Sequence, residues 1–491
     1  MIAMTLAEIA EVAGGSVADP ADAGLVVSGE AYLDSRTPVP GGLFVAIAGE
    51  RVDGHDYAAG AHAVLGSRPT VAPTVVVEDP VAALGLLARE LLGRLDATLI
   101  ALTGSQGKTG TKDYLAGALA AVAGADAVVA TAANNNNELG VPLTVLRARR
   151  ETRYVVVEMG ARGVGHIAYL CRIAPPRVAA VINVGTAHIG EFGSREAIAV
   201  AKGEIVEALP DGAAGGVAVL NADDPLTAAM AERTAARVLT FGERGALSWR
   251  DLTLDALGRP SFTLVLDQGA EGAEGTARLE QAVTLRQPGA HQVANAAAAA
   301  ALAVGAGVPF AAFARALGDV APASRWRMEV TERPDGLVVV NDAYNANPES
   351  MRAALEALVA IGAGSGRRTV AVLGEMKELG ASHEEGHRAV GAAAVALGVD
   401  VVLVVGEAAR GIADGAAQAP AQESADGSTG GPEVATAVGH DAALEWLRQN
   451  AGPEDVVLVK ASRGARLERI AAALLAPADL GKNLGQEGST T

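Results

Sequence analysis

The sequence predicts an α/β protein of three domains. From about residue 96, short apolar runs alternate with helical stretches, which is typical of a mostly parallel sheet with helices on both faces. A second alternation of this kind begins near residue 335, and a shorter mixture of strands and helices precedes the first. The chain has 491 residues, enough for about three domains of roughly 150 residues each. We therefore expect domains at 1–95, 96–322 and 323–491.

The first 95 residues predict a small α/β domain. Leu6, Ile9 and Val12 recur at helical spacing and indicate an amphipathic helix. "GGLFVAIAGE" and "TVVVED" are candidate strands, and "PVAALGLLARELLGRL" is a candidate helix. The N-terminus carries acids and no basic segment, so we expect no secretory signal.

The central domain is predicted from four buried strands, "ATLIAL", "RYVVVEM", "RVAAVINV" and "GVAVLNA", with helices between several of them. A β-rich stretch follows at about 236–287. The uncharged stretch "VANAAAAAALAVGAGVPFAAFA" is interrupted by Gly305, Gly307 and Pro309. It predicts two soluble helices joined by a turn and no membrane span.

The C-terminal domain is predicted to hold a smaller, Rossmann-like sheet. Its strands are "GLVVVNDAY", "RRTVAVLGEM", "VDVVLVVGE" and "EDVVLVKAS". Residues 411–439 are rich in Ala, Gly, Ser, Pro and acids without sustained periodicity, and we expect most of them to form a mobile surface insertion.

Composition limits the partners. The formal net charge is −18 and no basic run stands out, which argues against a nucleic-acid partner. Cys171 is the only cysteine, so no intrachain disulfide can form, and a reducing compartment is indicated. We expect a cytoplasmic monomer.

"TGSQGKTGT" is a candidate phosphate-binding loop between an apolar strand and a helix. Backbone amides at a helix N-terminus bind phosphate, Lys108 can reach the outer phosphates, and the Thr109 hydroxyl can ligate Mg²⁺. The spacing is shorter than the usual P-loop pattern, so a glycine turn that only starts a helix is the alternative. The predicted nucleotide-binding residues here are Gly104, Ser105, Gln106, Gly107, Lys108, Thr109 and Gly110.

Further polar features lie beyond this loop. "NNNNELGVPLT" contains Asn135 and Asn137 and is suited to a loop with many hydrogen bonds, or to an ordinary polar turn. Glu158 ends an apolar strand, where burial without a partner would be costly, so it needs a metal or a cation unless the strand end is exposed. His188 in a glycine-rich loop and Lys202 on the next helix are candidates whose alternative is a structural or solvated role.

Together these motifs resemble the Mur ligase family. They are TG-x-x-GKT, N-x-NN-x-x-G-x-P, EMG, the histidine loop with A-K-x-E-I, and "GAHQVANAAAAAA", from a "DSR" near residue 35 to "SRGARLERI" near residue 470. The family comprises ATP-dependent amide-forming ligases of peptidoglycan synthesis. The resemblance implies a UDP-substrate domain, a central P-loop ATPase domain and a C-terminal Rossmann-like domain.

Within that family, "NDAYNANPESMRAAL" is similar to the member that joins D-alanyl-D-alanine to UDP-N-acetylmuramoyl-tripeptide. The member that adds the third residue typically has Tyr-Ala-His-Thr-Pro and Asp-Asn-Pro-Arg patterns, and neither is present. Folylpolyglutamate synthases share the fold without this asparagine-rich run. Two further hypotheses stay open: the same fold with another acceptor, and a non-catalytic nucleotide-binding partner.

The resemblance also implies residue roles. The peptide carboxylate would attack ATP to give an acyl phosphate, which the dipeptide amine would attack in turn. Lys108, Glu158, His188 and Lys202 would be catalytic, with one Mg²⁺ on Thr109 and Glu158 and a second near His188 and Lys202, the lysine being carbamylated. Adenine and ribose would meet Asn295, Arg327, Asp342, Tyr344 and Asn345. The implied substrate-binding residues are Ser35, Arg36, Thr37, Asn135, Asn137, Lys460, Ser462 and Arg463. The chain departs from the family pattern at His291-Gln292 and Asn341-Asp342.

Overall fold

The predicted α/β class and three-part architecture are confirmed. The computed structural model describes residues 1–185, 189–268, 277–321, 323–420, 422–423 and 429–476. Three main sheets, of five, nine and six strands, follow one another along the chain. Each takes its strands from one of the three predicted segments, while the boundaries at 95 and 322 themselves stay a prediction.

The N-terminal unit holds a five-stranded sheet in the order β2-β7-β6-β5-β4, with β1 and β3 paired beside it. Its first helix begins at Leu6 because the Thr5 hydroxyl accepts from the Glu8 amide and the Glu8 carboxylate accepts from the Thr5 amide. The elements are β1 (Met4–Thr5), α1 (Leu6–Ala13), β2 (Ser16–Val17), β3 (Val26–Val27), β4 (Ala31–Tyr32), β5 (Leu43–Val45), β6 (Ala63–Gly66), β7 (Thr74–Val76) and α2 (Pro80–Gly93).

The central unit holds the nine-stranded sheet, in the order β16-β15-β14-β13-β12-β11-β8-β10-β9. Its strands are β8 (Thr98–Thr103), β9 (Val128–Ala130), β10 (Tyr154–Glu158), β11 (Val178–Val181), β12 (Val217–Asn221), β13 (Arg237–Phe241), β14 (Leu247–Leu254), β15 (Pro260–Gln268) and β16 (Ala277–Thr284). Its helices are α3 (Lys108–Ala123), α4 (Gly140–Leu146), α5 (His166–Ile173), α6 (Ile189–Phe192), α7 (Arg195–Glu207), α8 (Pro225–Ala228), α9 (His291–Gly305) and α10 (Phe310–Leu317).

The register of the central strands positions the site. β8 lies between β10 and β11, both parallel to it, with Glu158 opposite Leu102 and Val181 opposite Thr103. The carboxyl ends of the three strands therefore meet at one edge of the sheet, where ligands bind in open α/β sheets. The alanine-rich stretch forms α9 and α10 as predicted, and none of the helices described here is long and apolar enough to cross a membrane.

The C-terminal unit has a six-stranded sheet, in the order β17-β18-β24-β19-β20-β23. Its strands are β17 (Glu329–Glu332), β18 (Val338–Asn341), β19 (Arg368–Leu373), β20 (Val401–Val405), β21 (Gln422–Glu423), β22 (Thr429–Gly430), β23 (Glu433–Ala437) and β24 (Asp455–Lys460), β21 and β22 forming a separate pair. Its helices are α11 (Pro348–Ser365), α12 (His383–Ala396), α13 (Gly411–Gln418), α14 (His440–Asn450) and α15 (Glu468–Leu475).

The predicted mobile insertion at 411–439 is wrong at both ends. Residues 411–418 form α13, which packs on α12, and β23 pairs in parallel with β20. The two helices meet backbone to backbone: a Cβ on Gly391 would lie 1.9 Å from the Ile412 carbonyl oxygen, and one on Gly415 would lie 2.1 Å from that of Arg388. Hydrophobic periodicity does not report such contacts between small residues, which is why the helix escaped the sequence analysis. Residues 421 and 424–428 lie outside the described residues.

The hydrophobic cores divide the molecule into two bodies. One cluster runs from α1 and α2 into the face of the central sheet covered by α4, α5 and α7, so the N-terminal and central units share a core. A second cluster covers the opposite face of the central sheet. The C-terminal sheet has its own clusters, separate from both. Among the described residues, the C-terminal unit therefore shares no hydrophobic cluster with the rest of the molecule.

Candidate functional site

The predicted phosphate loop, residues 104–110, joins β8 to α3 and forms the first turn of that helix. Gly107 has a φ of +75°, and a Cβ there would lie 2.5 Å from Asn295 Oδ1, so only glycine fits. The Ser105 and Gln106 amides donate to the Asn183 carbonyl and side-chain oxygens at 3.1 and 2.9 Å. Asn183 follows β11, and it thereby holds the loop against the neighbouring strand.

The amides of residues 107–110 have no hydrogen-bond partner among the described residues. They lie at the N-terminus of the 16-residue α3, where the helix dipole favours an anion. This combination of unpaired amides, a glycine turn and a helix start suits a phosphate group.

Lys108 lies over the loop. Its Nζ donates to the Gly104 carbonyl at 2.5 Å and to the Ser105 carbonyl at 3.3 Å. Burial lowers the pKa of Lys108, and Arg327 adds to this effect, whereas the Glu158 carboxylate raises the pKa. A phosphate would offer this ammonium a charged partner in place of neutral carbonyl oxygens.

Glu158 is buried and fully engaged at the end of β10. Glu158 is only 3% exposed to solvent. Oε2 accepts from the Thr109 hydroxyl at 3.0 Å and Oε1 accepts from Asn136 Nδ2 at 2.9 Å. The alternative of an exposed strand end is therefore wrong. A hydroxyl and a carboxylate side by side are hard oxygen donors of the kind that Mg²⁺ prefers.

The donor set around Glu158 fits one Mg²⁺ held jointly with a nucleotide. Within the described ranges no group of three His, Cys, Asp or Glu side chains could hold a metal ion. Mg²⁺ is commonly bound by one or two protein oxygens and completes its shell with substrate phosphates and water. Thr109 and Glu158 meet this requirement beside the loop. His188, predicted to hold a second ion, lies outside the described residues.

Lys202 is buried on α7 and faces the same cavity. It is 5% exposed, and its pKa lies well below the usual value because of burial, with the charge of Lys108 adding to the effect and Glu158 opposing it. Glu204, two residues on, accepts from the Gly165 and Ala168 amides at 2.5 and 2.9 Å. This carboxylate caps α5 and fixes α7 to it. Glu204 is therefore a supporting residue, and the sequence analysis did not single it out.

The C-terminal unit supplies the opposite wall. The Arg327 guanidinium lies 4.4 Å from the centre of the Tyr344 ring, and its buried Nε has no hydrogen-bond partner among the described residues. Lys460 Nζ donates to Asp342 Oδ2 at 2.5 Å and to the Asn345 carbonyl at 3.0 Å. A stacked cation with a free donor is suited to a nucleotide phosphate or base.

A cavity of about 900 Å³ lies between the two walls. It brings together most of the predicted nucleotide and catalytic residues. The predicted nucleotide and catalytic residues in the lining are Ser105, Gln106, Gly107, Lys108, Thr109, Gly110, Glu158, Lys202, Asn295, Arg327, Asp342, Tyr344 and Asn345. The predicted substrate-binding residues in the lining are Asn137, Lys460 and Arg463.

Some predicted residues do not line this cavity. Gly104 packs on the residue that follows β11, since a Cβ on Gly104 would lie 2.9 Å from the Cβ of Ile182. Ser462 is buried, and its hydroxyl accepts from the Lys377 amide at 2.9 Å. The side chain of Arg36 is 86% exposed and pairs with Asp34. The other residues outside the lining are Ser35, Thr37 and Asn135.

The asparagine run forms a turn beside Glu158. Asn136, not singled out from the sequence, holds Glu158, whereas the Asn137 side chain accepts from the Leu139 and Gly140 amides at 3.3 and 3.0 Å. Asn135 passes so close to Gly140 that a Cβ there would lie 2.2 Å from its carbonyl carbon. The run therefore forms a tight turn that aims one amide at the carboxylate.

His387 is a further residue that the sequence analysis missed. It is fully buried on α12; its Nε2 accepts from the Met376 amide at 2.9 Å and its Nδ1 lies 2.7 Å from the His383 carbonyl oxygen. These partners require a neutral ring with the proton on Nδ1. The ring fixes the loop that carries Glu378, another residue of the cavity lining.

The neutral His387 predicts acid sensitivity. Burial lowers its folded pKa below 6.5, so as the pH falls through 6.5 the unfolded chain takes up a proton that the folded chain refuses. Its contribution to the free energy of unfolding is full above 6.5 and is lost below it. We expect His387→Gln to weaken this loss, measured by urea denaturation at about pH 7.5 and about pH 5. His62→Gln is the control, since that ring bonds the Val26 carbonyl in the N-terminal unit; equal pH dependence in wild type and His387→Gln would contradict the prediction.

A glycine turn at a helix start that faces a separate, cation-bearing unit across a cavity is the arrangement of a nucleotide-dependent enzyme. Comparison with known proteins gives the family. "Mur ligase middle domain" matches residues 102–303, and "Mur ligase, glutamate ligase domain" matches residues 326–463. The chain belongs to the Mur ligase family.

Individual relatives match over nearly the whole chain. UDP-N-acetylmuramoyl-tripeptide–D-alanyl-D-alanine ligase of Mycobacterium tuberculosis is 45% identical, with 97% of this chain and 98% of that protein covered. The protein of the same name from Escherichia coli is 35% identical, with 96% and 99% covered. A crystal structure of MurF from Acinetobacter baumannii superposes with a TM-score of 0.82 at 31% identity, covering 96% and 99% of the two chains. MurF from Thermotoga maritima in complex with ADP has a TM-score of 0.73 at 31% identity, covering 90% and 96%.

Proposed function

We propose that this protein is the ATP-dependent ligase that joins D-alanyl-D-alanine to UDP-N-acetylmuramoyl-tripeptide, in the cytoplasmic synthesis of peptidoglycan precursors. The observation that carries the proposal is the cavity in which the loop of residues 104–110 and the buried Glu158 face Arg327 and Tyr344 of the C-terminal unit. The full-length relatives named for this reaction support the choice of substrates.

The proposed reaction begins with attack of the tripeptide carboxylate on the γ-phosphorus of ATP. ADP leaves, and an acyl phosphate forms. The dipeptide amine then attacks the acyl carbon and forms the amide bond. The carbon–oxygen bond to the phosphoryl group breaks, and phosphate leaves. Phosphorylation is needed because the unmodified carboxylate has no good leaving group.

The cavity holds cationic groups suited to the two anionic reactants of this reaction. A carboxylate and a triphosphate repel one another, so cations must neutralise and align them. The loop amides and Lys108 would hold the outer phosphates. Arg327, which the resemblance places at adenine and ribose, has an unpaired Nε among the described residues and would also bring a second cation to the phosphates from the opposite wall. Tyr344, Asn345, Asp342 and Asn295 would contact adenine and ribose, and closure of the C-terminal unit would exclude water.

Thr109 and Glu158 would hold one Mg²⁺, which when bound supplies charge neutralisation at the phosphates. We further propose that Lys202 is carbamylated and, with His188, holds a second ion. What supports this is that Lys202 is buried beside Lys108 and Glu158, where an ammonium is unfavourable and an oxygen ligand is useful.

The acceptor side is proposed on the resemblance alone. Ser35, Arg36 and Thr37 would contact the UDP group, Asn135 and Asn137 the peptide, and Lys460, Ser462 and Arg463 the peptide or dipeptide. For Lys460 we propose an additional role, since its ammonium holds Asp342 and the Asn345 carbonyl in place. The monomeric state also remains a prediction.

Substrate omission tests the function. With ATP, Mg²⁺, UDP-N-acetylmuramoyl-tripeptide and D-alanyl-D-alanine all present, we expect phosphate release. The release should fall to background when either the UDP-linked tripeptide or the dipeptide is left out. The product is checked by mass spectrometry as the tripeptide precursor extended by one dipeptide. Release with a single diamino acid in place of the dipeptide would favour the third-residue ligase. Nucleotide binding without any release would favour a non-catalytic partner.

A further inference from the structure

Two buried charges on α3 have no part in the proposed chemistry. Lys112 and Asp113 are 4% and 5% exposed, and Lys112 Nζ lies 2.7 Å from Asp113 Oδ1. A buried ion pair contributes little net stability, because its attraction must offset the desolvation of both groups. A pair placed one turn beyond the phosphate loop therefore needs another explanation.

The pair lies in a chain of hydrogen bonds that crosses the cleft. On one side, Lys112 Nζ donates to the Thr131 carbonyl at 2.9 Å, and the Thr131 hydroxyl accepts from the Glu158 amide at 3.0 Å. On the other side, Asp113 Oδ2 accepts from the Ser324 amide at 3.1 Å, although 211 residues separate them. The phosphate-loop helix, the Glu158 strand and the segment that enters the C-terminal unit are thus connected.

The segment that begins at Ser324 is unusual in its backbone. Trp326 and Met328 have φ values of +58° and +48°, which non-glycine residues rarely adopt. The Tyr344 amide donates to the Trp326 carbonyl at 3.2 Å, and the Met328 amide donates to Asp342 Oδ1 at 3.1 Å. Between these two residues Arg327 projects over the Tyr344 ring. One end of the segment is therefore fixed by Asp113 and the other by the nucleotide wall.

We propose that Asp113 is a positioning residue, which holds the Ser324 amide so that Arg327 is presented to the nucleotide phosphates over the α3 N-terminus. The inference rests on the proposed function and deepens it, because it states what sets the position of the second cation. It also explains why both charges are kept: Lys112 orients the carboxylate so that its second oxygen faces Ser324. Asp113 itself touches no reacting atom in this scheme.

Removal of the single donor tests this role. Ser324→Pro deletes the N–H while leaving Lys112 and Asp113 in place, and Ser324→Ala is the matched control that keeps it. We expect Ser324→Pro to lower kcat/KM for ATP about tenfold and to weaken ADP binding measured by calorimetry, with Ser324→Ala within about twofold of wild type. Both variants should melt at similar temperatures.

A double-mutant cycle separates positioning from simple stability. In an Arg327→Ala background the difference between Ser324→Pro and Ser324→Ala should shrink to less than about twofold, because the residue being positioned is gone. A difference that persists undiminished in that background, or that is absent with Arg327 present, would overturn the inference.

A second pair of variants approaches the same bond from the other side. Lys112→Met/Asp113→Asn keeps an acceptor for Ser324, and Lys112→Met/Asp113→Leu does not, while both remove the buried charges. We expect only the leucine variant to reproduce the Ser324→Pro defect, again in an Arg327-dependent way. ADP affinity reports on these variants even without ligation, so a failed substrate assay would count against the proposed function and additive ADP affinities would count against this inference.

Discussion

Lys108→Met is expected to lower phosphate release at least about a thousandfold while leaving the protein folded. Lys108 is the cation of the phosphate loop, and its Nζ lies on the carbonyls of Gly104 and Ser105, above the α3 amides that face the cavity. In the transfer of a phosphoryl group to a carboxylate, negative charge gathers on both reactants. Loss of this ammonium should therefore raise the barrier more than it weakens nucleotide binding, so kcat should fall further than ADP affinity.

Two comparisons make the Lys108 result interpretable. Lys108→Arg keeps a positive charge in a different shape and should lie between methionine and wild type. Arg150→Met removes an exposed cation from the same unit and should change the rate less than about twofold. Phosphate release within about tenfold of wild type in Lys108→Met, at full substrate dependence, would show that the loop lysine is not the principal phosphate contact.

The elements that were predicted correctly are buried strands, because a short apolar run in the sequence indicates such a strand. "RYVVVEM" and "RVAAVINV" contain β10 and β11, and "ATLIAL" contains all of β8 except Thr103. Because parallel strands end at one edge, the predicted phosphate loop and Glu158 had to meet. Helix α13 was missed because glycines let α12 approach its backbone, and this leaves no apolar stripe.

Side-chain choices within irregular segments were harder to predict. Nothing in four consecutive asparagines says that Asn136 rather than Asn135 or Asn137 will face Glu158, because a turn has no fixed periodicity. The contact between Asp113 and Ser324 depends on how two separate sheets are placed, which local sequence does not encode. Residues that carry a motif could thus be predicted, whereas those that fix the motif in space could not.

Lys202→Ala is expected to reduce ligation at least about a hundredfold, and a short carboxylic acid added to the assay should restore part of the loss. Lys202 is buried at the cavity, and the charges of Lys108 and Glu158 are close enough to affect the pKa of Lys202. If a carbamate there supplies an oxygen ligand, truncation opens a space that a small carboxylate fills with the same kind of oxygen.

The rescue should be specific to that position. The same acid should not restore Lys108→Met, because the missing group there is a cation, and this makes Lys108→Met the matched control. An observation independent of turnover is a carbamate carbon signal in ¹³C NMR after incubation with labelled bicarbonate, present in wild type and absent in Lys202→Ala. Unchanged activity in Lys202→Ala would rule the role out. Lost activity with neither rescue nor a carbamate signal would instead assign Lys202 to packing, in which case Lys202→Met, with nearly the same volume, should keep most of the rate.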